Sequence, residues 1–339
     1  MPVGLEGYSE EVQETIMAAR APATRLMYKN RWKLFTEWCA MRGHSPRTCP
    51  ISVVLSFIQS LLKAGRAPAT LKVYTAAISL YHEPVDGKTV GAHKSVSLFL
   101  RGAKRLCPTR AQPVAKWDIH IVLDSLCRSP YEPMQSADLK WISMKTAFLM
   151  AITSAKRVSE LHAFSISQDC VNWLPDGTAV QLRPNISFLP KVLPQSYVNV
   201  PVTFAEFRPT TEQTSVKTEL CPVRAIKIYI AATQGIRKSQ QFFVCYGSEK
   251  RGQCVSKQRL AHWITDVIQE AYTMAGKQLP SGVKAHSTRA VATSWAALRG
   301  VPLEDICAAA NWSSPGTFTR FYRVNVADTP PLSAAVQSA

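Results

Sequence analysis

The chain of 339 residues carries 40 Lys and Arg against 23 Asp and Glu, a formal charge of +17, with 46% hydrophobic and 19% charged residues. That composition excludes a globally disordered chain, suits two domains with sizeable cores, and contains no run of eighteen apolar residues long enough to cross a membrane as a helix. The positive surplus calls for a polyanionic partner, because each Lys or Arg placed near a phosphate releases counterions on binding. Charge alone leaves nucleic acid, acidic membrane and acidic protein open. The start, MPVGLEGYSEEVQE, is acidic where a secretory leader is basic and then apolar, which sets the expectation of an intracellular protein. Nine cysteines, at positions 39, 49, 107, 127, 170, 221, 245, 254 and 307, form no C-x-x-C pair and no zinc-ligand spacing. The expectation is therefore reduced, mostly buried thiols and no metal site.

Residues 1–112 hold 16 Lys/Arg against 7 Asp/Glu and form the denser basic surface; the remainder holds 24 against 16. Apolar residues recur at helical spacing in Tyr28, Trp32, Phe35 and Trp38/Cys39, in Val54, Phe57/Ile58 and Leu61/Leu62, and in Tyr74, Ala77/Ile78 and Tyr81, which predicts three helices. The phrase Ala-Pro-Ala-Thr occurs at 21–24 and 67–70, each time reading as a cap, with Thr24 or Thr70 opening a helix. A further helix over 94–104 runs into RGAKRLCPTRAQPV, the expected linker at about 101–115. The domains predicted on this pattern are 1–110 and 116–339, with a tail over 323–339. From Lys116 helices are expected at 117–126 and 137–152. Three β-like runs follow, at 170–173, 179–183 and 197–202, predicting a small antiparallel sheet. Four helices at 222–233, 256–274, 287–299 and 302–310 complete a fold that is mainly α with one small antiparallel sheet, an α+β class.

The segment Thr153-Ser-Ala-Lys-Arg-Val-Ser-Glu-Leu161 places Arg157 where one helix gives way to the next, with Glu160 three residues on. His286-Ser-Thr-Arg289 opens an apolar helix with both side chains one turn apart at its positive end, a geometry suited to phosphate. Asn311-Trp312 stands 26 residues after His286, followed by Ser-Ser-Pro-Gly-Thr-Phe-Thr-Arg-Phe-Tyr322.

The ordered set Arg157-x-x-Glu160, His286-x-x-Arg289, Trp312 and Tyr322 resembles the tyrosine recombinases, the phage integrase family, over nearly the whole chain. The ending Asn-Trp-Ser-Ser-Pro-Gly-Thr-Phe-Thr-Arg-Phe-Tyr-Arg is similar to that of recombinases from DIRS- and Ngaro-type eukaryotic retroelements. The resemblance implies an N-terminal helical core-binding domain and a C-terminal catalytic domain that clamp double-stranded DNA. It implies strand cleavage and rejoining through a 3′-phosphotyrosyl link and a Holliday junction, with no metal or other cofactor. Tyr322 would attack the phosphate, Arg157 and Arg289 would hold its oxygens, and His286 would manage the proton of a phenol whose pKa is ordinarily about 10. Trp312 would donate through its indole, and Glu160 would orient Arg157 or His286. Lys191, in the loop before the last strand, would be the general acid, with Lys156 as a substitute.

Two departures stand out. Ten residues separate Trp312 from Tyr322 where the family commonly has nine, accommodated in a Pro315-Gly316 loop, and Asn311 replaces the usual Gly. Phosphate contacts in the first domain are expected from Arg25, Lys29, Arg31, Lys33, Lys63, Arg66 and Lys72. The family pattern further implies a homo-oligomer, a dimer on one site and a tetramer on paired half-sites, with no membrane. A retroelement origin implies the nucleus, with 101–110 as an import signal; a bacterial or phage origin implies the cytoplasm. The alternatives are a domesticated, catalytically silent DNA-binding module and a type IB topoisomerase-like enzyme. The second would carry Ser-Lys before its Tyr, where this chain has Thr319-Arg320.

Overall fold

Helical periodicity becomes two separate helical units, Met1–Gln112 and Pro113–Ala339, in the computed structural model, which describes residues 2–108, 114–190, 200–206 and 218–324. In the first unit, Ser9 caps α1 (Glu10–Ala18) by accepting from the Val12 N–H, and Glu10 and Glu11 lie at its positive end. Helices α2 (Pro22–Ala40), α3 (Ile51–Lys63), α4 (Pro68–Tyr81) and α5 (Lys94–Leu106) follow. Their inward stripes meet around Phe35, Val54, Phe57, Leu71, Tyr74 and Ile78. Phe57 holds the centre, with ring centroids 5.1 Å from Phe35 and 5.8 Å from Tyr74.

Thr24 and Thr70 do not cap their helices. Both sit inside the first turn, because Pro22 and Pro68 take the first helical positions, where a missing N–H costs nothing. Helix α5 also runs to Leu106, so the first half of the expected linker is helical. Residues 109–113 of that linker lie outside the described residues.

The second unit opens with α6 (Ile119–Leu126), capped by Asp118, and α7 (Leu139–Ser154), whose residues from Ile142 to Ala151 are all buried. Next come α8 (Val158–Ala163), the strands β1 (Val171–Trp173), β2 (Ala179–Leu182) and β3 (Val202–Ala205), then α9 (Pro222–Thr233) and α10 (Lys257–Met274). Helices α11 (Ala285–Leu298), α12 (Leu303–Ala309) and α13 (Pro315–Phe321) finish the described chain. The sheet is antiparallel in the order β1-β2-β3, with Val171 opposite Leu182 and Ala179 opposite Ala205. The third strand lies downstream of the expected run at 197–202. Pro201 has no N–H for the ladder, and pairing begins at Val202, which buries Phe204; residues 197–199 lie outside the described residues.

Helix α13 replaces the expected Pro315-Gly316 loop, with Pro315 in its first turn. All nine cysteines are free, but only Cys39, Cys49, Cys221 and Cys307 are buried, while Cys107 and Cys254 are exposed. No helix among the described residues is long and apolar enough to cross a membrane.

One buried ion cluster ties the loop after α6 to two helices. Lys145 of α7, fully buried, donates to Leu126 O at 2.7 Å and to Glu132 Oε1 at 2.5 Å. Arg224 of α9 grips both Glu132 oxygens, at 2.7 and 3.0 Å. Burial by itself raises the Glu132 carboxyl, but hydrogen bonds from Arg224 and Lys145 outweigh it and hold the group at about 2. A depressed carboxylate stabilises fully above its ordinary value of 4.5 and loses that contribution as pH falls toward about 2. Glu132→Ala will strand the Lys145 charge in the core and cost about 3–5 kcal/mol in urea melts at pH 7. The variant will also lack the wild type's loss of stability between those two pH values.

Candidate active site

Helix α7 ends at Ser154, and Ala155 takes the left-handed conformation (φ 50°), turning the chain so that Arg157 precedes the first turn of α8. Glu160, one turn in, reaches back. Its Oε2 accepts from the Arg157 backbone N–H at 2.7 Å and its Oε1 from the Arg157 guanidinium at 3.1 Å. The carboxylate is buried at the positive end of α8, where the helix dipole favours it.

The first turn of α11 supplies His286 and Arg289. Trp117 anchors that turn by donating its indole N–H to Ser287 Oγ at 2.9 Å, and Ser287 in turn donates to Lys284 O at 2.6 Å. Arg289 is 1% exposed. Its Nη2 donates to Ala310 O, while its Nη1 stands 3.8 Å from Glu160 Oε2, too far for a hydrogen bond. The guanidinium lies over the rings of Trp312 (4.7 Å) and Tyr322 (5.4 Å).

Tyr322 comes directly after α13. Its hydroxyl shares a hydrogen bond with His286 Nε2 at 2.8 Å, and the two rings meet at 5.2 Å and 62°. Its ring centroid is 4.6 Å from that of Trp312, which stacks on Phe318. Asn311 adopts φ 51°, the left-handed region where Asn is tolerated, and so keeps the turn that a Gly would give. Its Oδ1 accepts from Lys156 Nζ at 3.2 Å and its amide donates to Glu160 Oε1 at 3.5 Å.

Three buried donors in this cluster have no hydrogen-bond partner: Arg289 Nε, Arg289 Nη1 and Trp312 Nε1. A buried donor left unmet costs about 1–3 kcal/mol, so three in one place mark a site built for an acceptor. The charges agree with that reading. Burial and then the neighbouring Arg157 push the Arg289 guanidinium down to about 10, with Glu160 and Tyr322 opposing, so it stays charged at neutral pH. Burial likewise lowers the Lys156 ammonium, with Glu160 opposing and Arg289 and Arg157 adding to the shift. Three cations share one carboxylate here, and an anion of phosphate size would relieve their repulsion while meeting the open donors.

No family model matches the sequence, and no curated protein matches it. Solved structures match at the level of fold. The Tn1549 transposon integrase in complex with transposon right end DNA aligns with a TM-score of 0.56 at 9% identity, over 97% of this chain and 98% of that one. A lambda integrase dimer bound to a COC′ core site gives 0.54 at 11% identity, over 95% and 97%. The XerH site-specific recombinase in its post-cleavage complex with palindromic difH gives 0.52 at 12%, over 86% and 73%.

The fold is that of the tyrosine recombinases.

Within this tyrosine-recombinase fold, Arg157, Glu160, His286, Arg289, Trp312 and Tyr322 lie together, although up to 165 residues separate them in sequence. Lys191 lies outside the described residues. Lys156, read from sequence as a substitute, sits at the edge of the cluster on Asn311. In the first unit, Arg25, Lys29 and Lys33 recur every four residues along one stripe of α2, with Lys33 3.8 Å from Glu37. Lys63, Arg66 and Lys72 are exposed around α3 and α4. Arg31 is off the stripe, its guanidinium over the Tyr74 ring at 5.2 Å, so it is engaged with the core of this unit. Sequence reading missed Ser294 and Phe318. Ser294 lies eight residues after His286, a spacing that puts it on the same helix face.

Proposed function

We propose that this chain is a site-specific DNA recombinase that cuts and rejoins strands through a covalent link between Tyr322 and a 3′-phosphate. The observation that carries this reading is the convergence of three partnerless buried donors, on Arg289 and Trp312, beside a phenol hydroxyl held by His286. A scissile phosphate seated there would accept from Arg289 Nε and Nη1 and from Trp312 Nε1. Arg157, fixed by Glu160, would hold a second non-bridging oxygen. These fixed charges oppose the negative charge that builds in the pentacoordinate transition state. Attack by the Tyr322 oxygen forms the phosphotyrosyl bond and breaks the bond to the 5′-oxygen; His286 takes the phenol proton. The leaving 5′-oxygen needs a proton, which we assign to Lys191. Because one phosphodiester is exchanged for another, the reverse step rejoins strands without an external energy source.

Both units would contact duplex DNA, the first through the α2 stripe of Arg25, Lys29 and Lys33 and the exposed Lys63, Arg66 and Lys72 set against phosphates. The XerH and lambda integrase structures are of proteins bound to DNA, one of them a lambda integrase tetramer bound to a Holliday junction. By analogy we assign dimers to single sites and a tetramer to the paired complex. The retroelement-like ending of the sequence favours a mobile-element recombinase acting in the nucleus.

The test is covalent trapping. Wild-type protein incubated with a randomised duplex library carrying nicked suicide sites, without added metal, will retain DNA after denaturation, and sequencing will reveal the site. Tight binding with no retained DNA, across a library that includes the element's own termini, would refute the reading. Removing one phosphate contact, Lys29→Ala, will weaken binding to all sequences alike and lower the slope of log affinity against log salt by about one.

A further inference from the structure

Ser294 stands in the middle of α11, 4% exposed and two turns beyond His286 on the same face. A serine or threonine inside a helix ordinarily returns its hydroxyl to the carbonyl four residues back. Its neighbour Thr293 does so, donating to Arg289 O at 2.8 Å. Ser294 instead turns its hydroxyl away from its own helix. It accepts from the Val324 N–H at 2.9 Å and donates to the Tyr322 carbonyl at 3.3 Å.

Those two backbone groups are the ones that the end of α13 leaves to be satisfied. The N–H groups of Tyr322 and Arg323 both return to Phe318 O at 2.9 Å, which exhausts the helix's own bonding. Helix α13 is only seven residues long, and Phe318 is its one buried side chain. So short an element, attached through a single residue, does not by itself fix the position of the next residue, Tyr322. A displacement of about 1 Å at a reacting group costs on the order of 100-fold in rate.

We propose that Ser294 is the positioning residue for Tyr322. It fastens the backbone on the far side of Tyr322 to the helix that carries His286 and Arg289, and so seats the phenol in the site of its own chain. The inference rests on Tyr322 being the nucleophile. It adds that the seat is made by a buried hydroxyl outside the reacting set.

The test is Ser294→Ala in the full chain, read three ways. Single-turnover formation of the covalent adduct will fall about 10- to 100-fold on the trapped site, while DNA affinity and melting temperature remain within about twofold and about 2 °C of wild type, on the order set by losing one hydrogen bond. Limited trypsin cleavage after Arg323, whose neighbouring Val324 N–H Ser294 holds, will quicken at least about fivefold relative to cleavage at other sites. An adduct rate within about twofold of wild type would overturn the proposal, and so would a rate that falls only in proportion to affinity. If the alanine variant fails to fold, Ser294→Cys, which keeps the volume and weakens the hydrogen bonds, decides it on the same rates. If the wild type forms no adduct on any DNA, the nucleophile reading fails separately. The seat then stands on faster cleavage after Arg323 in the variant and falls if that cleavage is unchanged.

Discussion

Arg289→Lys will reduce covalent attachment to DNA by about 10²- to 10³-fold with little loss of DNA affinity, and Arg289→Ala by about 10³- to 10⁵-fold. Lysine keeps the charge, so the difference reports on the fork. Arg289 does three things at once from a buried position: Nη2 holds Ala310 O, the guanidinium lies over the rings of Trp312 and Tyr322, and Nε and Nη1 are left without a hydrogen-bond partner. An ammonium is a compact point charge and cannot hold the carbonyl and present two further donors in one plane. Bulk affinity is carried by many phosphate contacts, so losing this fork acts on the transition state more than on binding. A lysine variant within about tenfold of wild type in adduct rate would mean that charge alone suffices and that the open donors have no role.

Mixing Arg289→Lys with Tyr322→Phe will not restore cleavage above about 1% of wild type, taking the same loss of transition-state stabilisation to apply to each chain. The Tyr322 hydroxyl is 2.8 Å from His286 of the same chain, its ring lies against Trp312 of that chain, and Ser294 holds the backbone just beyond it. Each inactive chain therefore contributes either a nucleophile without its fork or a fork without its nucleophile. If the phenol were delivered to a neighbouring protomer, one intact site would assemble in mixed complexes and activity would return to a sizeable fraction. The ten-residue interval from Trp312 to Tyr322 is no obstacle to the self-contained arrangement, because α13 takes up most of it as a compact helix.

Legibility in the sequence depends on how local each determinant is. His286 and Arg289 are one turn apart on a helix with a clear apolar face, so their shared direction comes from the 3.6-residue period alone. Likewise Asn311 could be read as keeping a left-handed turn, since a short polar side chain tolerates positive φ, and it sits at 51°. Determinants that depend on partners were hidden. Thr24 and Thr70 look like caps, yet Pro22 and Pro68 fix the first turn and leave the threonines inside it. Pro315-Gly316 reads as a turn, although the same proline preorganises the first turn of α13. The third strand was misplaced because Tyr197 to Val202 is more β-like by composition, whereas the register against β2 selects Val202–Ala205 and buries Phe204. Ser294 carries no signal beyond its eight-residue spacing from His286, and Lys145 carries none. Each is a polar residue within an apolar helix, and only the tertiary partners, the end of α13 for one and Glu132 for the other, explain why it is there.

The most direct test of the central claim is to identify the amino acid that carries the DNA. Adducts trapped on a suicide substrate, digested with nuclease and trypsin and analysed by mass spectrometry, will place a nucleotide 3′-phosphate on the tryptic peptide Phe321-Tyr322-Arg323, at the phenol oxygen, and Tyr322→Phe will yield none. A nucleotide found on any other residue, or an adduct that survives in Tyr322→Phe, would contradict the account.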